Sequence, residues 1–376
     1  MSLITLARAK KYTDQANRHF AANDLIYGVT WDKGSSPKLT RTDAAVGMVA
    51  NPGLDMMVPK NDFDFAQIYR DIKEVQDEQG NVFIRIPKFY IKKVDSPGFK
   101  SWQISRKKYP GFYLPWCFWD FGKNRELPHI DVGKYKASLS AASKLESKAG
   151  VLPLVSRHIV DFRTFARNNN VDGLLGYQQL DIHVVDVLRT LFFVEFATLD
   201  SQSVMQGLTT GGAAAQNGFS NGIAATSGSN LSNADGKNPL VYRGIESLYG
   251  DVWQFVDGVN ITEYQAWVAK NAEDYASNVF AAPYEQLGYV NANTDGYVIE
   301  MGFDPNFPFI ELAKTVGGNS ATYYSDYYYR NTGQRIARFG GSWGNGASAG
   351  VSCWALSYSS SGTYSDFGGR LLKKPL

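Results

Sequence analysis

Cysteine is almost missing from this chain. Cys117 and Cys353 are the two present in 376 residues, too few for a disulfide scaffold or a cysteine-rich zinc site. Histidine is nearly as scarce, with His19, His129, His158 and His183. Charge of one sign is missing as well. The 38 Lys and Arg face 36 Asp and Glu, a formal net charge of +2, without the domain-wide basic excess of a nucleic-acid-binding protein. Short basic runs such as Ser105-Arg106-Lys107-Lys108 read as solvated loops. No run of 18 apolar residues occurs, so no membrane-spanning helix is expected. The first residues lack the apolar stretch and cleavage site of a secretory signal peptide. Synthesis in the cytoplasm is therefore expected, with any export by another route such as cell lysis.

One absence is local. From Phe339 through Gly369 there is no Lys, Glu, Gln or Met, although the whole chain is 20% charged. Small residues, Asn, Asp, Tyr and Thr fill the segment instead. Trp343 and Trp354 stand within it, and Gly340-Gly341 and Gly368-Gly369 bracket it. Small polar residues with Tyr make contacts at low entropic cost. The segment reads as a ligand-binding face held up by the rest of the chain.

What is plentiful points to β-structure. Tyr and Phe number 22 each and Gly 36, and aromatic, Gly- and Ser-rich sequences favour strands and turns over helical bundles. Residues 2–20 carry no Gly or Pro and read as a helix for attachment or oligomerisation. Residues 25–80 read as a small turn-rich region, with a short helix over Phe65–Val75. Asn81–Val94 alternates apolar and polar residues, as a strand or hairpin does, with Pro87 at an edge or bulge. The aromatics of Trp102–Trp119 read as core, and Ile130–Ala137 as a strand. Val160–Asn168 predicts a short helix. Tyr177–Met205 predicts a long one, with Leu180, Val184, Val187, Leu188, Leu191, Phe192 and Phe196 at helical spacing. Gly207–Pro239 reads as an extended surface excursion, and Arg243–Asp257 as a turn leading into an aromatic strand.

Enzyme-like patterns fail on context. Gly340-Gly341-Ser342-Trp343-Gly344 matches G-x-S-x-G, but that nucleophile needs a His later in the chain, and all four histidines lie upstream. Gly344–Ala349 matches G-x-G-x-x-A, but no βαβ unit surrounds it. Asp181, His183 and Asp186 cluster at a helix start without a second His to complete a metal site. Glu246, Asp251 and Asp257 are carboxylates whose pairing for acid–base work depends on geometry.

Three landmarks, in order, carry a resemblance: the long helix, then Leu248-Tyr249-Gly250-Asp251-Val252-Trp253-Gln254-Phe255, then Arg338-Phe339-Gly340-Gly341-Ser342-Trp343 with Gly368-Gly369-Arg370-Leu371. Over roughly residues 80–376 the chain resembles the formylglycine-generating-enzyme type of C-type lectin fold. It departs from that family's enzymes in lacking their active-site cysteine pair near the C-terminus. The closer resemblance is to the variable proteins of diversity-generating retroelements, including phage tropism determinants. In those proteins adenine-directed mutagenesis of AAY-type codons changes the end of the lectin-type domain. Such codons do not reach Lys, Glu, Gln, Met or Trp. The Ala9–Asp14 stretch resembles the start of phage tail-associated proteins.

The resemblance implies an α+β chain: an N-terminal helix over 1–24, a small β-rich region over 25–80, and a C-type lectin-like domain over 81–376 with its variable segment at 339–367. It implies a framework of Phe339, Gly340, Gly341, Trp343, Gly346, Gly350, Trp354, Leu356, Gly368, Gly369 and Arg370. The ligand-facing positions would be Ser342, Gly344, Asn345, Ser348, Cys353, Ala355, Ser357, Tyr358, Gly362, Tyr364 and Asp366. It implies a non-enzymatic phage or prophage receptor-binding protein of a virion tail. Its partners would be a host cell-surface receptor (protein or glycan), other tail proteins and further copies of itself. No cofactor is expected and no carboxylate cluster is assigned to Ca2+. The alternatives are a formylglycine-generating-type oxidase and a structural virion protein without ligand.

Overall fold

A computed structural model describes residues 24–51, 61–171, 176–222 and 235–376. The helix expected over residues 2–20 lies outside the described residues. The remainder is β-rich with two α-helices among the described residues.

The longer helix, Ile182–Phe196, organises the interior. Its sequence is apolar nearly all round, the pattern of a helix with protein on every side, and every residue from Ile182 to Glu195 is buried. It packs against the strands Ile26–Asp32, Phe99–Ser105 and Trp253–Thr262. The helix is shorter at both ends than Tyr177–Met205. Asp181 Oδ1 accepts the Val184 N–H at 2.9 Å and starts it, a cap of about 1 kcal/mol. Ala197, at φ +52°, ends it in the left-handed region. Tyr177–Gln179 is instead a strand pairing with Leu371–Lys373.

The charged residues of this buried helix are paired. Lys93 bridges Asp186 and Glu311. Lys100 Nζ lies 2.6 Å and Arg189 Nη1 3.6 Å from the Glu311 carboxylate. At the other end, Arg243 reaches Glu195 and Asp64, each at 2.6 Å. These pairs tie the helix to the N-terminal strands and to the loop around Glu311.

Three larger sheets surround it. Thr40–Asp43, Ile26–Asp32, Phe99–Ser105 and Tyr90–Asp95 form a four-stranded antiparallel sheet. Tyr177–Gln179, Leu371–Lys373, His129–Gly133, Val82–Pro87 and Lys73–Gln76 form a five-stranded one. The two halves of Asn81–Val94 therefore belong to different sheets and make no hairpin. Pro87 ends its strand opposite His129. Phe65–Val75 is not a helix. It contains part of a 3-10 turn, Asp62–Phe65, another at Tyr69–Asp71, and then the strand Lys73–Gln76. The boundary expected near residue 80 falls between Lys73–Gln76 and Val82–Pro87, which pair with each other.

A mixed sheet of nine strands carries the C-terminal half and curls around the core. At its centre Trp253–Thr262 pairs with Gln334–Phe339, which pairs with Trp354–Leu356, which runs parallel to Tyr327–Arg330. Successive side chains alternate between the faces of such a sheet. Val256, Ala337, Phe339, Trp354 and Leu356 belong to the main core on the long-helix side. Trp253, Phe255, Ile336, Cys353 and Ala355 form a second core with Phe162 of the short helix Ile159–Arg167 and with Phe367. Between the two long segments that build this face, 342–353 and 357–366 cross irregularly.

Gly207–Pro239 is less exposed than a surface excursion. Residues 223–234 of it lie outside the described residues, but Leu208, Thr209, Asn217 and Ser220 are buried, and Leu208 O accepts the Asp251 N–H at 2.7 Å.

Candidate ligand-binding face

Several framework residues of the C-terminal segment sit where another side chain would collide, whereas Gly346 has open space where a Cβ would go. Gly341 has φ +81°, and a Cβ there would stand 2.7 Å from the Ala349 Cβ. A Cβ at Gly369 would stand 2.7 Å from the Phe162 ring, and one at Gly368 2.6 Å from Val252 Cγ2. Trp354 is fully buried with its ring 5.4 Å from that of Phe339. Trp343 is half-buried, and its main-chain N–H donates to Asp251 O at 2.7 Å.

Arg370 is the most heavily bonded of them. Its Nε donates to Gln254 Oε1, its Nη1 to Gly133 O, and its Nη2 to Glu246 O and Ser247 O, all at 2.8 Å. It is thus a clamp joining three segments of chain. Burial pulls its pKa down to about 10, against the pull of Glu246 and Asp251.

The irregular segments are fixed chiefly through the backbone. Gly346 N–H donates to Thr209 O at 2.9 Å. Gln202 Nε2 donates to Gly346 O and Ala349 O at 2.8 and 2.7 Å. In the second segment Tyr358 O accepts from Ile336 N–H at 3.0 Å, Tyr364 O from Ser156 N–H at 3.0 Å, and Asp366 O from Trp253 N–H at 2.8 Å. Main-chain anchors of this kind do not depend on the identity of the side chain above them.

Six of the eleven expected ligand-facing residues line one open cavity of about 310 Å³: Asn345, Ala355, Ser357, Tyr358, Tyr364 and Asp366. Gly344 is exposed, with open space where a Cβ would go. Ser348 and Gly362 are half-buried outside the cavity lining. Two positions differ from a ligand-facing placement. Cys353 is fully buried in the second core: it has the same parity as Ala355 but lies outside the cavity lining. Ser342 is 2% exposed, with its hydroxyl 2.8 Å from Asn345 Oδ1 and 3.0 Å from Asp366 Oδ2. Its one proton serves a single acceptor at a time.

The floor and walls of the cavity are completed by Trp253, Tyr329, Phe367 and Arg338, which the sequence reading did not place among the ligand-facing positions. Arg338 is 2% exposed. Its guanidinium carbon lies 3.6 Å from the Phe367 ring centroid, 4.6 Å from Tyr358 and 4.9 Å from Trp253. Nη2 stands 3.5 Å from Ser357 Oγ, the outer limit of a hydrogen bond. Nε is buried without a hydrogen-bond partner. Among the described residues no carboxylate oxygen comes within 4.0 Å of this guanidinium. Burial pulls its pKa down to about 9, with Asp366 and Tyr358 pulling the other way. Arg338 remains charged at neutral pH. A signal for it was present in the strand pattern: it shares a face with Ile336, two residues before the glycine pair.

The enzyme-like candidates are dispersed. Ser342 neighbours Asn345 and Asp366 rather than an imidazole. Asp181 caps the long helix, His183 Nε2 meets Ala269 O at 3.0 Å, and Asp186 pairs with Lys93. Glu246 accepts the Gly218 and Ser220 N–H groups, Asp251 that of Ala215, and Asp257 pairs with Arg163. Among the described residues no group of three or more His, Cys, Asp or Glu is placed to hold a metal ion. Cys117 and Cys353 are both free and buried, and burial pushes both thiols up, the setting of an inert cysteine.

No family model and no curated protein matches the chain. Among solved structures, the chain is similar to the Major Tropism Determinant P3c variant at 11% identity and a TM-score of 0.32, covering 94% of this chain and 73% of that one. It is similar to the Major Tropism Determinant U1 variant at 10% identity and a TM-score of 0.25, covering 77% and 72%.

Proposed function

We propose that this chain is a non-enzymatic receptor-binding protein of a phage tail, which presents a diversified surface on a C-type lectin scaffold of the formylglycine-generating-enzyme type. The binding face is the cavity around Arg338, whose walls include Tyr358 and Tyr364, with the exposed Gly344 beside it. One observation carries this reading. Residues scattered over 345–366 converge on a single cavity, while Gly341, Gly350, Trp354, Gly368, Gly369 and Arg370 between and beside them are buried in the frame. The main-chain anchoring of both segments supports it, since side chains on the face can change without removing those bonds. The segment's lack of Lys, Glu, Gln and Met agrees with diversification through AAY-type codons.

The ligand is a component of a bacterial cell surface. Several copies on one particle add avidity to a modest single-site affinity. The chain is mounted in the tail through its N-terminal residues and neighbouring tail proteins.

The test is adsorption of the fluorescently labelled protein to a panel of bacterial strains, read by flow cytometry. Binding to a subset of strains is expected. Tyr358→Ala with Tyr364→Ala abolishes it, and Val290→Ser on the far edge strand leaves it unchanged. Equal adsorption by all three proteins overturns the reading.

A further inference from the structure

Arg338 is a buried cation without an ionic partner, aimed into a cavity that opens to solvent. An unpaired buried charge is costly unless something completes it. Ser357 Oγ at 3.5 Å is a weak acceptor, and Nε has none. Three aromatic rings already pack around the guanidinium, and none of them supplies an acceptor for its N–H edge, so what remains unmet is its hydrogen-bonding edge. That edge is matched in shape and charge by a carboxylate, which accepts two parallel N–H bonds.

The rest of the lining narrows the choice. Tyr358 and Tyr364, at 4.8 Å ring separation, and the 47% exposure of Tyr364, offer aromatic surface for the C–H face of a ring. Asp366 offers an acceptor for hydroxyl donors, and the Asn345 amide, whose Oδ1 already accepts from Ser342, offers an N–H donor for a hydroxyl oxygen. Asp366 also disfavours a dianion such as a phosphate monoester. A cationic ligand is opposed by Arg338 itself. A neutral apolar ligand would leave Nε unsatisfied. An extended peptide gains nothing from the floor, because Gln334–Phe339 and Trp354–Leu356 are paired on both sides and present no free strand edge there. A volume of about 310 Å³ is at the lower end of small-molecule sites, suited to one ring-sized unit.

Resting on the binding-face reading above, we infer that the cavity takes the carboxylate-bearing ring of an acidic surface glycan, with the carboxylate on Arg338, the ring against Tyr358 and Tyr364, and hydroxyls toward Asp366 and Asn345.

The experiment uses the full chain and follows the Arg338 Nε–H resonance by NMR while titrating the methyl glycosides of glucuronic acid and N-acetylneuraminic acid. Each is compared with its methyl ester, which differs only in the charge. At least one acid is expected to shift the Arg338 resonance in a saturable way and to bind at least ten-fold more tightly than its ester. Ser357→Glu, at a half-buried site on the cavity wall, supplies Arg338 with an internal carboxylate. It is expected to abolish acid binding with the melting temperature unchanged or raised, which separates loss of binding from loss of folding. Equal binding of acid and ester overturns the inference, as does no binding of either acid. Tighter binding of inorganic phosphate or of a peptide C-terminus overturns it too. If the acids fail while Tyr358→Ala with Tyr364→Ala still abolishes cell adsorption, the acidic-glycan inference falls and the binding face stands. If adsorption is also unaffected, both fall.

Discussion

The guanidinium carbon of Arg338 lies 3.6 Å from the centre of the Phe367 ring. Arg338 closes one side of the glycine-bounded segment and Phe367 the other, so this contact ties its two ends together beneath the cavity. A desolvated cation–π contact contributes about 2 kcal/mol. Phe367→Leu keeps an apolar side chain there but removes the π face. Urea denaturation is expected to show a loss of about 2 kcal/mol, with the dependence on urea unchanged.

Gly341 and Gly344 stand three residues apart and differ in what surrounds them. At Gly341 an alanine would be strained at φ +81° and would press on Ala349 at 2.7 Å. At Gly344 the φ is unrestrictive and nothing lies within 4 Å. Gly341→Ala is expected to cost about 1–3 kcal/mol, and Gly344→Ser to stay within about 0.5 kcal/mol of the parent. Thermal melts of the two variants side by side check this.

Glu311 is the shared counter-charge of Lys93, Lys100 and Arg189. Burial alone would raise its carboxyl pKa, but Lys100, Lys93 and Arg189 outweigh burial and hold it far below the usual range. Glu311→Gln leaves three buried cations with Asp186, which pairs with Lys93, and Asp95, whose Oδ2 lies 3.3 Å from Lys100 Nζ, alone to balance them. A destabilisation of about 3–5 kcal/mol is expected in chemical denaturation, the range for breaking one partner out of a buried pair.

Asp251 titrates in the other direction. Burial pushes its carboxyl up to about 6, although Lys136 and the Ala215 N–H both pull it down. The folded chain therefore holds this proton to higher pH than the unfolded chain, whose Asp titrates near 3.9. Between these values the folded state binds more protons, so the contribution of Asp251 to stability is largest below about pH 4 and is lost as pH rises to about 6. The loss is about 3 kcal/mol over about two pH units. Asp251→Asn, which tolerates the local φ of +65° and can still accept the Ala215 N–H, is expected to flatten that slope. Melting temperatures across pH 4–7 for both proteins test it.

The long and short helices, the strands at Asn81–Val94 and near Ile130, and the special character of 339–367 were legible in the sequence, because each rests on local periodicity or composition. What was not legible is long-range. Val82–Pro87 and Tyr90–Asp95 look like a hairpin by alternation, yet their partners, His129–Gly133 and Phe99–Ser105, draw them into separate sheets. The long helix looked longer because Leu180 and Leu199 are apolar at its flanks, and both are buried by other contacts. Cys353 has the composition of the face and the parity of Ala355, yet it is buried in the second core outside the cavity lining. Arg338 was legible as a motif residue, but not as the charge at the centre of the cavity. That depends on Phe367, Tyr358 and Trp253 meeting around it from three parts of the chain.

The central claim is that binding resides on the face around Arg338 while folding resides in the frame beneath it. The most direct measurement is a scan of single substitutions across the described residues with two readouts on each variant: protease resistance for folding and adsorption to a bound strain for function. Variants that lose adsorption while staying protease-resistant are expected to cluster at Tyr329, Asn345, Ser357, Tyr358, Tyr364 and Asp366. Substitutions at Gly341, Trp354, Gly368 and Arg370 are expected to lose both readouts. Folded, non-adsorbing variants that cluster on another surface, or scatter without a cluster, would contradict the account.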